Sequence, residues 1–194
     1  MAYDITLEGK NMIIAERMLE RIAKLLETCD IQYWLEGGTL LGIRREGRLL
    51  PWDNDVDVSM MIDQHLKLDL FYSLLKKSGF RVRTRHFKSS SQYFKKGDLR
   101  MIKIRELRFF GSLKGSVCLD IFIKYPHNNN CYWKIANKTK FVPDKFYSAF
   151  KTIHFKGNDY AIPELTDDYL SYRYSDWQTP KKDWNTHTDD NAIA

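Results

Sequence analysis

The chain has 194 residues, 43% hydrophobic and 29% charged, enough to bury a core without disulfide staples. No apolar run approaches the ~18 residues of a membrane span. The stretch Met1 to Lys10, with Asp4 and Glu8 and no apolar centre, does not read as a secretory signal. The formal net charge of +6 admits an anionic partner such as nucleic acid, a nucleotide or a phosphorylated glycan, and equally a mildly basic protein with none.

In chain order, Met12 to Thr28 carries Ile14, Met18, Ile22 and Leu26 at i, i+4 spacing, which predicts an amphipathic helix. Ile31 to Leu35 is strand-like and stops at Gly37-Gly38. Thr39 is placed to cap a short helix over Leu40 to Arg45, ended by Gly47. Val56 to Met60 reads as a strand. Gln64 to Lys77 reads as a helix with Leu66, Leu70 and Leu74 on one face and Gly79 as its stop. Phe80 to Phe87 is expected as an edge strand. Tyr93-Phe94 and Leu99 to Ile104, around Gly97-Asp98, read as a hairpin. Val117 to Ile123 is a strong strand with Asp120 at its centre, and Asn128-Asn129-Asn130 a turn. Ile153 to Phe155 is strand-like, and Pro163 leads into a helix over Glu164 to Tyr172. Residues 1–194 are thus read as a single mixed α/β (α+β) domain with a small, partly antiparallel sheet flanked by helices. Residues 175–194 form an extended C-terminal tail over its body.

Chemistry concentrates in Asp55-Val56-Asp57-Val58. Side chains alternate along a strand, so Asp55 and Asp57 share a face while the valines point into a core. Two carboxylates that close repel one another and call for a cation. An all-oxygen donor set suits Mg²⁺ or Mn²⁺. Asp53 shares the face only if the strand begins early, and Pro51 argues for a later start. A calcium loop counted from Asp53 fails, because Val58 stands where glycine is needed and Gln64 where glutamate is needed. By itself a D-x-D pair is common on solvated turns. Here Gly37-Gly38-Thr39 precedes it, closing a strand and opening a helix, where backbone N–H groups can meet phosphate oxygens.

The segment Gly37-Gly38-Thr39-Leu40-Leu41-Gly42, then Arg45, then Pro51-Trp52-Asp53-Asn54-Asp55-Val56-Asp57 closely resembles the signature of the LicD/fukutin family, within the DNA polymerase β-like nucleotidyltransferase superfamily. Cys118-Leu119-Asp120-Ile121-Phe122 resembles its second motif. Ile162-Pro163 through Tyr174-Ser175-Asp176-Trp177 resembles its C-terminal motif, with Ser175 where the family often has glycine. The resemblance implies the nucleotidyltransferase fold and two Mg²⁺ or similar ions held by Asp55, Asp57 and Asp120, with Asp53 as a further candidate. It also implies donor-phosphate contacts from Gly37, Gly38 and Thr39, and a catalytic role for Arg45. The implied reaction moves a phospho-alcohol, such as phosphocholine or phosphoribitol, from a CDP-linked donor to a sugar hydroxyl of a glycan. Two rival readings stand: transfer of a whole NMP, and a non-enzymatic basic protein that binds nucleic acid. The second is disfavoured.

Beyond that site, Asp120 in an apolar strand needs a partner, either a salt bridge or the shared metal. Lys95, Lys96, Arg100, Lys103 and Arg105, interleaved with Tyr93 and Phe94, read as the exposed face of a hairpin rather than a nucleic-acid surface. Trp52 is expected to pack beneath the metal strand. Tyr172, Tyr174, Trp177 and Trp184 are expected to pack the tail on the body. Cys29, Cys118 and Cys131 form no C-x-x-C pair and fit a reduced, cytoplasmic protein without a zinc site.

Overall fold

A computed structural model describes residues 5–108, 113–135 and 137–194. Asp4 of the N-terminal stretch lies outside them. Helix α1 (Lys10–Thr28) leads into strand β1 (Trp34–Leu35) and helix α2 (Gly37–Glu46). Strand β2 (Val56–Met61) is followed by a 3-10 turn (Ile62–Lys67), helix α3 (Leu68–Lys77) and strand β3 (Phe80–His86). Next come β4 (Leu99–Arg108), β5 (Leu113–Lys114), β6 (Leu119–His127), β7 (Asn130–Ile135) and β8 (Lys138–Pro143). A short 3-10 helix (Asp144–Tyr147) precedes the hairpin of β9 (Phe150–Phe155) and β10 (Asn158–Pro163), and helix α4 (Thr166–Tyr174) follows.

The main sheet runs β1-β2-β6-β4-β3. Only the β2–β6 pair is parallel among these neighbours. The sequence expectation of a mixed α/β fold with a partly antiparallel sheet is met. Alternation along three central strands gives the sheet two unlike faces. Val56, Val58 and Met60 of β2, Leu119, Ile121 and Ile123 of β6, and Ile102 and Ile104 of β4 are fully buried. Glu106, on the same face of β4, pairs with Arg17 and Arg21 of α1 at 2.8 Å each, which places α1 over the apolar face. Each large aliphatic buried there contributes on the order of 1.5–3 kcal/mol. The opposite face carries Asp57, Asp120 and Lys103 in one row, because Asp57 pairs in register with Asp120 and Asp120 with Lys103. Functional side chains therefore stand on the open face while their strand neighbours anchor the sheet.

Several expectations change. The helix over Gln64 to Lys77 begins only at Leu68, and the preceding turn is 3-10. With that phase, Leu68, Phe71 and Leu75 are buried, while Leu66 is 82% exposed and Leu70 55%. A helix capped by Thr39 is replaced by one starting at Gly37, whose N-cap is Glu36; its carboxylate accepts from Gly37 N–H at 3.3 Å. Gly47 does end it, at φ 65°. Tyr93 and Phe94 are not in a strand, so β4 pairs with β3 across a long loop rather than in a local hairpin. There Phe87 and Phe94 stack on each other, with ring centroids 4.1 Å apart, and fill the core edge. The expected edge strand over Phe80 to Phe87 is β3, paired among the described residues only with β4.

Candidate active site

Strand β1 pairs antiparallel with β2, placing Leu35 opposite Val58. Glu36 N–H donates to Asp57 C=O at 3.1 Å, so the chain turns into α2 directly above the acidic end of β2. The glycines there are required by the carboxylates themselves. Gly37 has φ 56°, and a Cβ on it would lie 2.6 Å from Asp57 Oδ2; one on Gly38 would lie 1.9 Å from Asp53 Oδ2. Any side chain at either position would push an acid out of place.

Asp55, Asp57 and Asp120 each offer a carboxylate oxygen, and these oxygens all lie within 4.8 Å of one another. Asp53 joins them through the loop, held by Asp53 N–H to Leu50 C=O at 3.1 Å and Leu7 N–H to Asp53 C=O at 2.8 Å. Among the described residues Asp57 Oδ1 is buried with no hydrogen-bond partner. Burial, then the neighbouring Asp55, Asp53 and Asp120 charges, push the Asp57 carboxyl well above the usual carboxylate range. Burial with Asp53 and Asp120 does the same to Asp55. Burial raises Asp53 to about 6 against the opposing Asn54 N–H. Such a set retains protons unless a cation replaces them. Oxygen-only ligands and an orphaned buried carboxylate oxygen fit a hard divalent ion. Asp120 also contacts Lys103 Nζ and accepts the Cys118 S–H at 3.2 Å. The salt-bridge and metal readings of Asp120 thus describe one residue.

The other expected site residues fall as follows. Gly37 and Gly38 line the cleft above the acids. Thr39 is only 2% exposed, off the cleft lining, and its hydroxyl accepts Asp57 N–H at 2.8 Å. It fixes β2 from behind the acids. Arg45 reaches the cleft wall, where it pairs with Glu46 at 2.7 Å and donates to Trp177 C=O at 3.0 Å, tying the C-terminal segment to α2. Trp52 packs against the core as expected of a packing residue and also lines the cleft, with Lys182 Nζ 5.5 Å from its ring centre. Tyr174 packs on Trp184 at 4.8 Å. The whole cleft, about 1380 Å³, is bounded by these residues, by the acids and by a basic wall on β3 and β4.

Sequence reasoning missed a buried ionic network beside the acids. Glu36 accepts from Ser59 Oγ at 3.0 Å, Tyr147 OH at 3.1 Å, Trp34 Nε1 at 3.3 Å and Arg173 at 2.8 Å, and also from Tyr169 OH. Lys124 Nζ lies 3.1 Å from Glu36 and 3.2 Å from the Trp133 ring centre. Arg173 continues to Asp190 at 2.6 Å, and Asp190 to Lys140 at 3.0 Å. Burial alone would raise Glu36, but the Lys124 and Arg173 charges outweigh it and hold its carboxyl at about 2. One signal was legible: an acid closing the apolar run Ile31 to Leu35 at the entry to a Gly-Gly turn.

Carboxylates gathered at the head of a parallel strand pair, on the open face of a helix-backed mixed sheet, mark the nucleotidyltransferase class. The chain belongs to the LicD/FKTN/FKRP nucleotidyltransferase-domain family, which matches residues 30–165. Among similar proteins, one from Rickettsia prowazekii is 24% identical over 176 residues, covering 88% of this chain and 58% of its own length. Mouse ribitol-5-phosphate transferase FKTN is 27% identical over 177 residues, covering 88% of this chain and 34% of the relative. Lipopolysaccharide cholinephosphotransferase LicD of Haemophilus influenzae is 36% identical over 56 residues, 29% of this chain and 21% of that one. The chain therefore spans about a third of FKTN and somewhat over half of the Rickettsia protein. Among the described residues no helix is long and apolar enough to cross a membrane.

Proposed function

We propose that this domain moves a phospho-alcohol group from a CDP-linked alcohol to a sugar hydroxyl of a glycan or glycan precursor. The observation that carries the reading is the cluster of Asp55, Asp57 and Asp120 with an orphaned buried oxygen, beneath a Gly-Gly turn, in a chain of this family. The names of FKTN and LicD, a ribitol-phosphate and a choline-phosphate transferase, support the transferred group. In this reading Asp55, Asp57 and Asp120 hold two Mg²⁺ or Mn²⁺ ions, with Asp53 beside them. When bound, these ions neutralise the donor pyrophosphate and the leaving nucleotide. Gly38, at the start of α2, offers its backbone N–H and a favourable helix end to donor phosphates, while Gly37, whose N–H is given to Glu36, lets the donor approach the acids closely. Thr39 acts through Asp57 rather than on the donor. Arg45 shapes the cleft wall above the donor. The acceptor oxygen attacks the phosphorus that bears the alcohol, the bond from that phosphorus to the bridging oxygen breaks, and CMP leaves. Asp120 receives the hydroxyl proton. Three buried cysteines outside any disulfide accord with a reducing compartment, and we place the reaction in the cytoplasm.

Calorimetric titration of CDP-choline, CDP-ribitol, CDP-glycerol, CTP, ATP and UDP-glucose, with Mg²⁺ and with EDTA, tests the reading. Cytidine diphosphate compounds bind best, and EDTA abolishes the binding. Tighter binding of ATP or UDP-glucose than of every cytidine compound contradicts the donor, and turnover that leaves NMP on the acceptor contradicts the group transferred.

A further inference from the structure

At one end the cleft is walled by β7, the end of α4 and the C-terminal segment. Trp133 of β7, Tyr174 of α4, and Trp184 and Thr186 of the segment all line it. Strand register brings them together. Trp133 pairs with Lys140 of β8, so the two side chains share a face. Lys140 Nζ donates to Thr186 C=O, which fixes Thr186 over that face. The Arg173 guanidinium lies 5.4 Å from the Trp133 ring centre and 5.3 Å from that of Tyr174, and Tyr174 packs on Trp184 at 4.8 Å. This end adjoins the start of α2. Arg173 pairs with the N-cap Glu36 at 2.8 Å, and Arg45 donates to Trp177 C=O at 3.0 Å. It therefore lies on the Gly37-Gly38 side of the acids, where the donor phosphates are placed.

Three polar atoms here are buried with no hydrogen-bond partner among the described residues: Trp133 Nε1, Trp184 Nε1 and Thr186 Oγ1. Trp133 itself is only 1% exposed. A buried N–H or hydroxyl left unpaired is costly, so each of these atoms favours a ligand that pairs it. Two N–H donors and a hydroxyl, which both gives and accepts, match the oxygens of a hydroxylated ligand. The rings, by contrast, are already engaged. Lys124 Nζ stands 3.2 Å from the Trp133 ring centre, Lys182 Nζ 5.5 Å from that of Trp52, and the Arg44 guanidinium 5.8 Å from that of Trp177. Tyr174 lies between Arg173 and Trp184. A trimethylammonium group binds by lying on open aromatic faces, and a nucleobase by stacking on them. Here each ring already has a cation or a second ring against it, whereas hydroxyls meet unpaired donors.

We propose that Trp133, Trp184 and Thr186 form the subsite that reads the alcohol of the donor, and that it selects a polyhydroxy alcohol, of the ribitol or glycerol kind, over a quaternary ammonium such as choline. This rests on the phospho-alcohol reading above and narrows it. The alcohol hangs from the phosphate that is attacked, and that phosphate lies over the acids, so the alcohol enters the part of the cleft next to Asp57. Tyr174 stands in that part. Burial, and in smaller part the charge of Asp57 among its neighbours, push its hydroxyl above the ordinary range. Trp184 and Thr186 lie beyond the family match at residues 30–165, so membership of the family does not fix this choice.

Calorimetry on the full chain in Mg²⁺ with CDP-ribitol, CDP-glycerol, CDP-choline and the β-methyl ester of CDP tests the subsite. The methyl ester carries the same phosphate charge as the polyol compounds and no alcohol to read, so it is the reference. CDP-ribitol binds about 10-fold or more tighter than the methyl ester, CDP-glycerol lies between them, and CDP-choline gains nothing. Trp184→Phe and Thr186→Val remove one polar group each and keep a ring or the side-chain shape. Each cuts the ratio of CDP-ribitol to methyl-ester affinity about 5-fold. The comparison of ligands on the wild type stands alone if a variant melts early. A gain for CDP-choline equal to that of CDP-ribitol overturns the subsite. So does an unchanged ratio in both variants; if both ligands have weakened equally, the two residues serve the nucleoside instead. Failure of the methyl ester and every other cytidine compound to bind is a separate result: it contradicts the donor reading itself, and the subsite falls with it.

Discussion

Strand β2 serves two groups of charged side chains, one buried and one half-buried, that are handled in opposite ways. Ser59 belongs to the Glu36 network, and Asp57, two residues earlier, to the acid cluster. In the network every carboxylate has cations in reach: Glu36 has Arg173 at 2.8 Å and Lys124 at 3.1 Å, and Asp190 has Arg173 at 2.6 Å and Lys140 at 3.0 Å. In the cluster Asp57 Oδ1 has no partner, and carboxylates surround it. In one set the buried carboxylates are matched by cations of the chain itself, and the set acts structurally. The other is complete only with something added. The network also connects the tail to the site, because Asp190 lies near the C-terminus and Glu36 caps the helix over the acids. The tail is held further by Phe141 N–H to Ala192 C=O at 2.7 Å.

Breaking the complete set should cost the most stability. Glu36→Ala leaves Arg173 and Lys124 short of charge in a dry site, and urea unfolding should show a loss of about 3–5 kcal/mol. A loss under about 1 kcal/mol would mean that the network contributes little. Removing an acid from the incomplete set should do the reverse. Asp55→Asn and Asp57→Asn should each lower turnover at least ~10²-fold, the scale of losing one stabiliser of transition-state charge. Their metal-free melting temperatures should be unchanged or higher, since a repelling charge is gone. Near wild-type turnover in either variant would remove the cluster from the chemistry.

The two sets also respond oppositely to pH. Glu36, held at about 2 against an ordinary 4.5, contributes stability that is present above 4.5 and lost as pH falls toward 2. Asp53, raised to about 6 from 3.8, costs stability above 6, and the cost is relieved as pH falls through 6 toward 3.8. Asp55 and Asp57 shift in the same direction as Asp53. Metal-free protein should therefore be more stable at pH 5 than at pH 7.5, by on the order of 1 kcal/mol, and Asp57→Asn should flatten the difference. Thermal unfolding in EDTA reads both, and a protein that is less stable at pH 5 contradicts the assignment. The smallest effect should come from the cysteines. All three are buried and outside any disulfide. Replacing Cys29, Cys118 and Cys131 by Ser, Ala and Ser should keep metal-dependent turnover, with a cost of about 1 kcal/mol from the cavity at Cys118. Lost turnover in the folded triple variant would give a thiol a chemical role.

The acid cluster was legible in the sequence because it depends on a local period. Asp55 and Asp57 sit two apart beside a valine alternation, and Asp120 interrupts an apolar strand. The network was not legible, because Glu36 and Arg173 are 137 positions apart and nothing local marks them as partners. The glycines were found for an incomplete reason, since their neighbours Asp53 and Asp57 become visible only when the loop closes. The phase of α3 was missed because Leu66, Leu70 and Leu74 imitate a buried stripe while the helix starts at Leu68. The basic hairpin was misread in part: Lys103, Arg105 and Arg100 line the cleft, whereas Lys95 and Lys96 stay in the connecting loop outside its lining. The alternating arginines of β3 were visible but needed the register to gain a partner strand.

The central claim, that a divalent cation completes the acids, is tested most directly by calorimetric titration of Mn²⁺ into metal-free protein at pH 7.5 in two buffers of different ionisation enthalpy. The account predicts saturable binding with protons released to the buffer, because burial and the neighbouring carboxylates hold Asp55 and Asp57 well above the usual carboxylate range until a cation displaces their protons. It also predicts that Asp57→Asn removes that binding. Saturable Mn²⁺ binding of the same affinity in Asp57→Asn, or none in the wild type, would contradict it.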